Sequence, residues 1–176
     1  MSEPFSLPVL VAKIPTGGKH FRIEPDEAQR RAIVEALGIV DVEQLKAELD
    51  VRPMGAEALS VRGSLTASVV QTDVVTLEPV RQEVSETIDL TLVPAAGDSP
   101  SRRRGPQQPE VDDSDERDVY RGGRIDLGTI VFEHLAIGLD PYPRSPDAEF
   151  PGHIEDDPAA APSAFAALAS LKRDKD

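Results

Sequence analysis

Leu59-Ser60-Val61-Arg62-Gly63-Ser64-Leu65-Thr66-Ala67-Ser68-Val69 and Val80-Arg81-Gln82-Glu83-Val84-Ser85-Glu86-Thr87-Ile88-Asp89-Leu90-Thr91-Leu92 decide the fold. In the first run Leu59, Val61, Leu65, Ala67 and Val69 share one parity, and Ser60, Arg62, Ser64, Thr66 and Ser68 share the other. Successive side chains of a strand point to opposite faces, so this is the pattern of a half-buried strand. The second run repeats it, with Val80, Val84, Ile88, Leu90 and Leu92 against Arg81, Glu83, Ser85, Thr87, Asp89 and Thr91. One antiparallel hairpin with a single apolar face is predicted, with Val61, Leu65, Val69, Val84, Ile88 and Leu92 inside. Its tip is the block Thr72-Asp73-Val74-Val75-Thr76-Leu77-Glu78-Pro79.

Outward from the hairpin, Leu7, Val9, Leu10 and Val11 predict a first strand near residues 7 to 12, ended by Pro15-Thr16-Gly17-Gly18. Pro25 suits the first helical position, Asp26 and Glu27 the positive end of the helix dipole, and Gly38 the C-terminal cap. A helix over 25 to 37 is expected, with Ala28, Ala32, Ile33, Ala36 and Leu37 as its apolar stripe. Val42 to Arg52 fits a helical face through Val42, Leu45 and Leu49, but the strict alternation of Leu45, Ala47, Leu49 and Val51 favours a strand near 43 to 52, turning back near Met54-Gly55. Pro94 to Arg124 is rich in Pro, Gly, Ser, Gln and charge, too polar to offset chain entropy, and reads as a surface loop. Asp126 suits an N-cap for a second helix, 127 to 139, whose Leu127, Ile130, Val131, Phe132 and Leu135 make it the more buried of the two. Pro141-Tyr142-Pro143-Arg144-Ser145-Pro146 is expected to run extended. After an acidic, Pro- and Ala-rich stretch, the chain ends in a short amphipathic helix in which Phe165, Leu168 and Lys172 share a face. Alone that helix is marginal, so it must pack on a partner or on its own sheet.

These elements predict an α+β fold: an antiparallel sheet or partly closed β-barrel covered by two helices, with a disordered acidic, Pro-rich loop and a flexible C-terminal tail. The expected organisation is a single domain over 1–146 with a disordered insertion at about 96–122, a linker over 147–162, and the C-terminal amphipathic helix over 163–176.

The 176 residues contain no cysteine, which removes disulfides, thiolate metal ligands and a cysteine nucleophile. A formal charge of −13 repels phosphate backbones and anionic headgroups, so DNA and membrane partners are not expected, and RNA only through a local basic patch. The start of the chain lacks the basic and apolar regions of a secretory signal, and a cytoplasmic location is the expectation.

Catalytic chemistry finds little support. His20, His134 and His153 lack ligand-like spacing, Gly17-Gly18 and Gly122-Gly123 open no phosphate-binding helix, and the carboxylates cluster where a solvated charge run is the simpler reading. Arg102-Arg103-Arg104 precedes Asp112, Asp113, Asp115 and Glu116, which neutralise it in part. No catalytic residue, metal ligand or cofactor is assigned. At the hairpin tip Asp73, Thr76 and Pro79 are also ordinary turn and bulge residues, so a purely architectural role stays open there.

Several blocks together carry a family likeness: Arg62 to Ala67, Val70 to Val80, Ile125-Asp126-Leu127-Gly128, Leu139-Asp140-Pro141-Tyr142-Pro143-Arg144-Ser145-Pro146, and Phe165 to Lys172. In this order they resemble the YceD family, the large ribosomal RNA subunit accumulation proteins. The resemblance implies a bacterial cytoplasmic factor that supports large-subunit ribosomal RNA without an established catalytic mechanism. Many members carry a cysteine near the hairpin tip; this chain has Asp73 there, so no thiol or zinc role carries over. The expected partner is a ribosomal protein or rRNA-processing factor, and a basic ribosomal protein would suit an acidic chain. The candidate partner-binding residues are Thr72, Asp73, Thr76, Leu77 and Pro79 at the tip and Phe165, Leu168, Leu171 and Lys172 at the end. The alternatives are a metal-dependent nuclease or hydrolase using carboxylates, and a dedicated chaperone of one basic ribosomal protein.

Overall fold

Five strands, β2 (Lys19–Ile23), β3 (Asp41–Met54), β4 (Ala58–Thr72), β5 (Pro79–Pro94) and β6 (Arg117–Tyr120), lie side by side in that order in the main sheet of the computed structural model, which describes residues 4–55, 58–95 and 117–148. Its centre is the expected hairpin, β4 (Ala58–Thr72) against β5 (Pro79–Pro94), paired antiparallel from Leu59↔Leu92 to Thr72↔Pro79. Parity decides burial: Val61, Leu65, Val69, Val84, Ile88 and Leu92 all lie in the core. Truncating a fully buried leucine such as Leu65 to alanine costs about 2–5 kcal/mol, because a cavity is added to the lost transfer energy.

The ambiguous stretch is a strand, β3 (Asp41–Met54), antiparallel to β4 along its whole length. Its alternation wins because Leu45, Ala47, Leu49 and Val51 all reach the same core. At Gly63 the two backbones come so close that a Cβ would fall 1.9 Å from the Glu48 carbonyl oxygen, so only glycine fits.

α1 (Glu27–Leu37) and α2 (Leu127–Gly138) pack on the sheet. α1 begins later than expected. Pro25 precedes the helix and Asp26 is its N-cap, in a capping box with Gln29. Gly38, at φ 65°, closes it in the left-handed conformation. α1 buries only Ile33, whereas α2 buries Leu127, Gly128, Ile130, Val131 and Leu135, as its apolar sequence requires.

Four features depart from expectation. Residues 19–23, for which no element is predicted, form β2 (Lys19–Ile23), held by its ladder to β3 although only Ile23 of its side chains is buried. β1 (Pro8–Leu10), followed by a short 3-10 turn (Val11–Lys13), joins no strand of the main sheet. It pairs instead with β7 (Arg124–Asp126) in a separate two-stranded sheet. Part of the stretch read as a surface loop is a strand: β6 (Arg117–Tyr120) runs parallel to β5, so the main sheet is mixed, not wholly antiparallel. Backbone pairing to an existing edge, not an apolar pattern, creates β2 and β6, and periodicity could not reveal them. Finally, β2 and β6 are not paired with each other, so the sheet is open and the barrel alternative fails. The expectations for the 96–116 loop, most of the linker and the terminal helix lie outside the described residues.

Candidate functional site: the hairpin tip and the proline segment

The β4–β5 loop is organised by one carboxylate. Asp73 is 1% exposed. Its Oδ1 accepts from the backbone N–H groups of Val75 (2.7 Å) and Thr76 (3.0 Å), an Asx turn that folds the loop on itself. Its Oδ2 accepts from the N–H of Ser145, 72 residues away, at 2.7 Å. The bond from Ser145, with those from Thr76 and Val75, holds the Asp73 carboxyl below its ordinary value against the opposing effect of burial, and Arg144 adds attraction. Backbone bonds complete the loop: Asp73 N–H to Glu78 O, and Leu77 N–H to Asp73 O.

Ser145 belongs to the segment that leaves α2, and this segment is fastened to the hairpin along its length. Gln82 Nε2 donates to Gly138 O and Gln82 Oε1 accepts from Asp140 N–H; Gln71 Nε2 donates to Asp140 O; Val74 N–H donates to Pro143 O. Prolines at 141, 143 and 146 supply carbonyls but no N–H of their own, and their fixed φ keeps the segment extended for this pairing. Arg144 Nη2 then donates to Ala148 O and Ala148 N–H to Ser145 O, fixing the chain as far as Ala148. Two blocks that the sequence quotes separately, Thr72 to Pro79 and Leu139 to Pro146, are thus one structural unit.

This unit presents apolar side chains to solvent. Leu77 is 75% exposed and is the one non-glycine residue with positive φ (62°) among the described residues. A leucine there costs about 1–2 kcal/mol of backbone strain, so the loop holds an apolar side chain outward at an energetic cost. Val74 is 51% and Tyr142 75% exposed. Thr76 and Pro79 are also exposed; Thr76 Oγ1 accepts from Glu78 N–H. Asp73, by contrast, is inside and positions the loop rather than offering itself to a partner.

Beside the tip runs a groove of about 360 Å³ between the end of α1 (Leu37, Ile39), Val74, the end of α2 (Ala136, Leu139) and Pro143. Gln71 also lines it. Its side chain is 8% exposed, and its Oε1 is a buried acceptor with no hydrogen-bond partner among the described residues.

The residues with catalytic potential do not gather. His20 sits on β2 with Nδ1 3.4 Å from Asp50 Oδ1 at the surface, and His134 Nδ1 bonds Ile130 O one helical turn back. Among the described residues no three His, Asp or Glu side chains lie together in a way that could hold a metal ion, and no helix is long and apolar enough to cross a membrane. His153 and the terminal candidates Phe165, Leu168, Leu171 and Lys172 lie outside the described residues. The sequence pointed to Thr72, Asp73, Thr76, Leu77 and Pro79 but missed Val74, Pro143, Tyr142 and Ser145 as parts of the same site. The signal was present in the Asp-Pro-Tyr-Pro-Arg-Ser-Pro run, but nothing in it says which distant carboxylate it meets.

Comparison with known proteins adds one finding. No curated protein and no solved structure matches the chain. Residues 61–172, more than half the chain, match the family model of the large ribosomal RNA subunit accumulation protein YceD, a span that includes the hairpin, its tip and the proline segment. The chain therefore belongs to the YceD family of large ribosomal RNA subunit accumulation proteins.

Proposed function

We propose that this protein supports accumulation of large-subunit ribosomal RNA in the cytoplasm without catalysing a reaction, by binding a basic ribosomal protein or a basic rRNA-processing factor through the hairpin tip. The observation that carries this reading is Leu77: a strained, outward-held leucine, with exposed Val74 on the same loop, which Asp73 braces from within, and exposed Tyr142 on the proline segment bonded to that loop. Strain kept at a solvent-exposed apolar residue is the mark of a surface shaped for contact. The charge of −13 directs that contact toward a basic protein rather than toward an RNA backbone. In this reading Thr72, Thr76 and Pro79 rim the contact, and Phe165, Leu168, Leu171 and Lys172 provide a second one from the tethered end of the chain.

The test replaces Leu77 and Tyr142 by serine in a cell that depends on the protein. Large-subunit RNA should fall toward the level of the deletion strain while the variant stays folded. A tagged pull-down should retain the partner after ribonuclease treatment. Full complementation by the double variant, or loss of every partner on ribonuclease digestion, overturns the reading.

A further inference from the structure

We infer that the groove beside the tip is the seat of this chain's own C-terminal segment, residues 163–172. It goes beyond the proposed function and stands on the groove's own geometry.

Three observations point to this occupant. The groove offers the apolar side chains of Leu37, Ile39, Val74, Ala136, Leu139 and Pro143 beside the polar Thr72, Asp140 and Gln71, whose Oε1 has no hydrogen-bond partner among the described residues. Its volume of about 360 Å³ lies within the ~300–1,000 Å³ typical of pockets that take a ligand, room enough for two or three side chains. The chain leaves the described structure on the rim. Ala148 is tied to Ser145 and Arg144, Ser145 to Asp73, and Pro143 to Val74 of the groove wall. The stretch of sequence from Ala148 to Ser163 is short: a random coil of that length has a root-mean-square reach of about 20 Å, which would keep the terminal residues close to the groove. A tether of this kind gives an effective concentration of the order of millimolar, so a weak contact suffices.

The segment has the complementary chemistry. Phe165, Leu168 and Leu171 recur at helical spacing, the form that lays an apolar face into an apolar groove. Lys172, on the same face, suits Asp140 on the groove's edge. The family match covers residues 61–172, which takes in the terminal segment and the groove walls at Gln71, Val74, Ala136, Leu139 and Pro143, though not Leu37 and Ile39. Such a marginal helix gains stability only on docking, and the groove gains cover for an apolar surface that would otherwise invite association.

The absence of cysteine allows a clean test in the full-length chain. A nitroxide on Ser170→Cys should broaden the amide resonances of Ile39, Val74, Ala136 and Leu139. Those of Lys19 to Ile23 and Met54, toward the other end of the sheet, should stay sharp. Adding Phe165→Asp with Leu168→Asp should abolish the broadening, and so should Ala136→Asp, a solvent-exposed position on α2 that the fold tolerates. Broadening that is uniform or absent overturns the inference, and broadening that vanishes on dilution assigns the groove to a second copy and overturns it as well. A Leu77→Ser protein should keep the broadening and lose RNA support. If it keeps both, the tip reading fails while the docking stands.

Discussion

Two carboxylates, Asp73 and Asp126, do the same chemical work at two places and to different ends. Each accepts backbone N–H groups from its own turn and from a segment more than seventy residues away. Asp126 Oδ1 accepts from Thr129 N–H, as the N-cap of α2, and from Leu7 N–H at 2.7 Å, while Oδ2 accepts from the Ser6 hydroxyl. This ties the start of the chain to α2, so that Phe5 enters the core and Gly128 meets the backbone of Phe5 to Leu7 closely. Asp73 ties the hairpin tip to the proline segment, and what it holds in place points outward: Val74, Leu77 and Tyr142. The difference teaches that a carboxylate staple does not reveal its purpose by its bonds. The side chains on the stapled segments do, apolar and inward at Asp126, apolar and outward at Asp73.

The largest effect that can break this comparison is expected at Asp126. Asp126→Ala leaves the Leu7 and Thr129 N–H groups without their acceptor and frees the first strand from the helix. A loss of about 2 kcal/mol is expected, the site being partly open to water, or a fall of several degrees in the thermal midpoint. Large-subunit RNA support should survive at a temperature where the variant is folded. Failure to complement there would give Asp126 a functional role and dissolve the contrast.

Asp73→Ala should lower the midpoint less, because the loop can open locally and let water reach its N–H groups, yet it should abolish RNA support. Hydrogen exchange at Val75, Thr76 and Ser145 should rise while the centres of β3 and β4 stay protected. A global loss of protection would make Asp73 a core element like Asp126.

Acid sharpens the same comparison. Burial alone would raise the Asp126 carboxyl, but the bonds from Ser6, Leu7, Thr129 and Gly128 outweigh it and hold it below the usual 3.8. Asp73 is lowered as well, by Ser145, Thr76 and Val75. A carboxyl depressed in the folded state contributes stability that is fully present above its unfolded value and is lost as pH falls through its folded one. The thermal midpoint should therefore be steady from pH 7 to about 5 on account of these two groups and decline from about pH 4 downward. The Asp73→Asn, Asp126→Asn double variant, measured by circular dichroism, should show a shallower decline. An equal slope would mean that other carboxylates carry the acid sensitivity.

The smallest effect, and the one of opposite sign, belongs to Leu77. Leu77→Gly relieves the left-handed strain and should leave stability unchanged or raise it by up to about 1 kcal/mol, while RNA support falls. A glycine variant that complements fully would show the exposed leucine to be incidental.

The central hairpin could be read in the sequence because period-two alternation is a local consequence of strand geometry. Leu59 to Val69 and Val84 to Leu92 place their apolar core side chains by parity, although Ser60, on the other face, is buried as well. The long β3 strand and the two helices were legible for related reasons: the unbroken alternation up to Val51, the closing Gly38, and the apolar run of α2 that only a buried position can satisfy. The family likeness was legible too, since it rests on residue order. Tertiary structure alone decided the rest. β2 and β6 exist because an available strand edge pairs their backbones, and hydrogen bonding between main chains leaves little trace in side-chain pattern. β1 abandons the main sheet because Asp126 draws it to β7 and α2. The site itself arises where Asp73 meets Ser145, a bond between a side chain and a backbone N–H. Any residue but proline could offer that N–H, so its position is set by the packing of α2 on the sheet and by nothing in the letters around either residue.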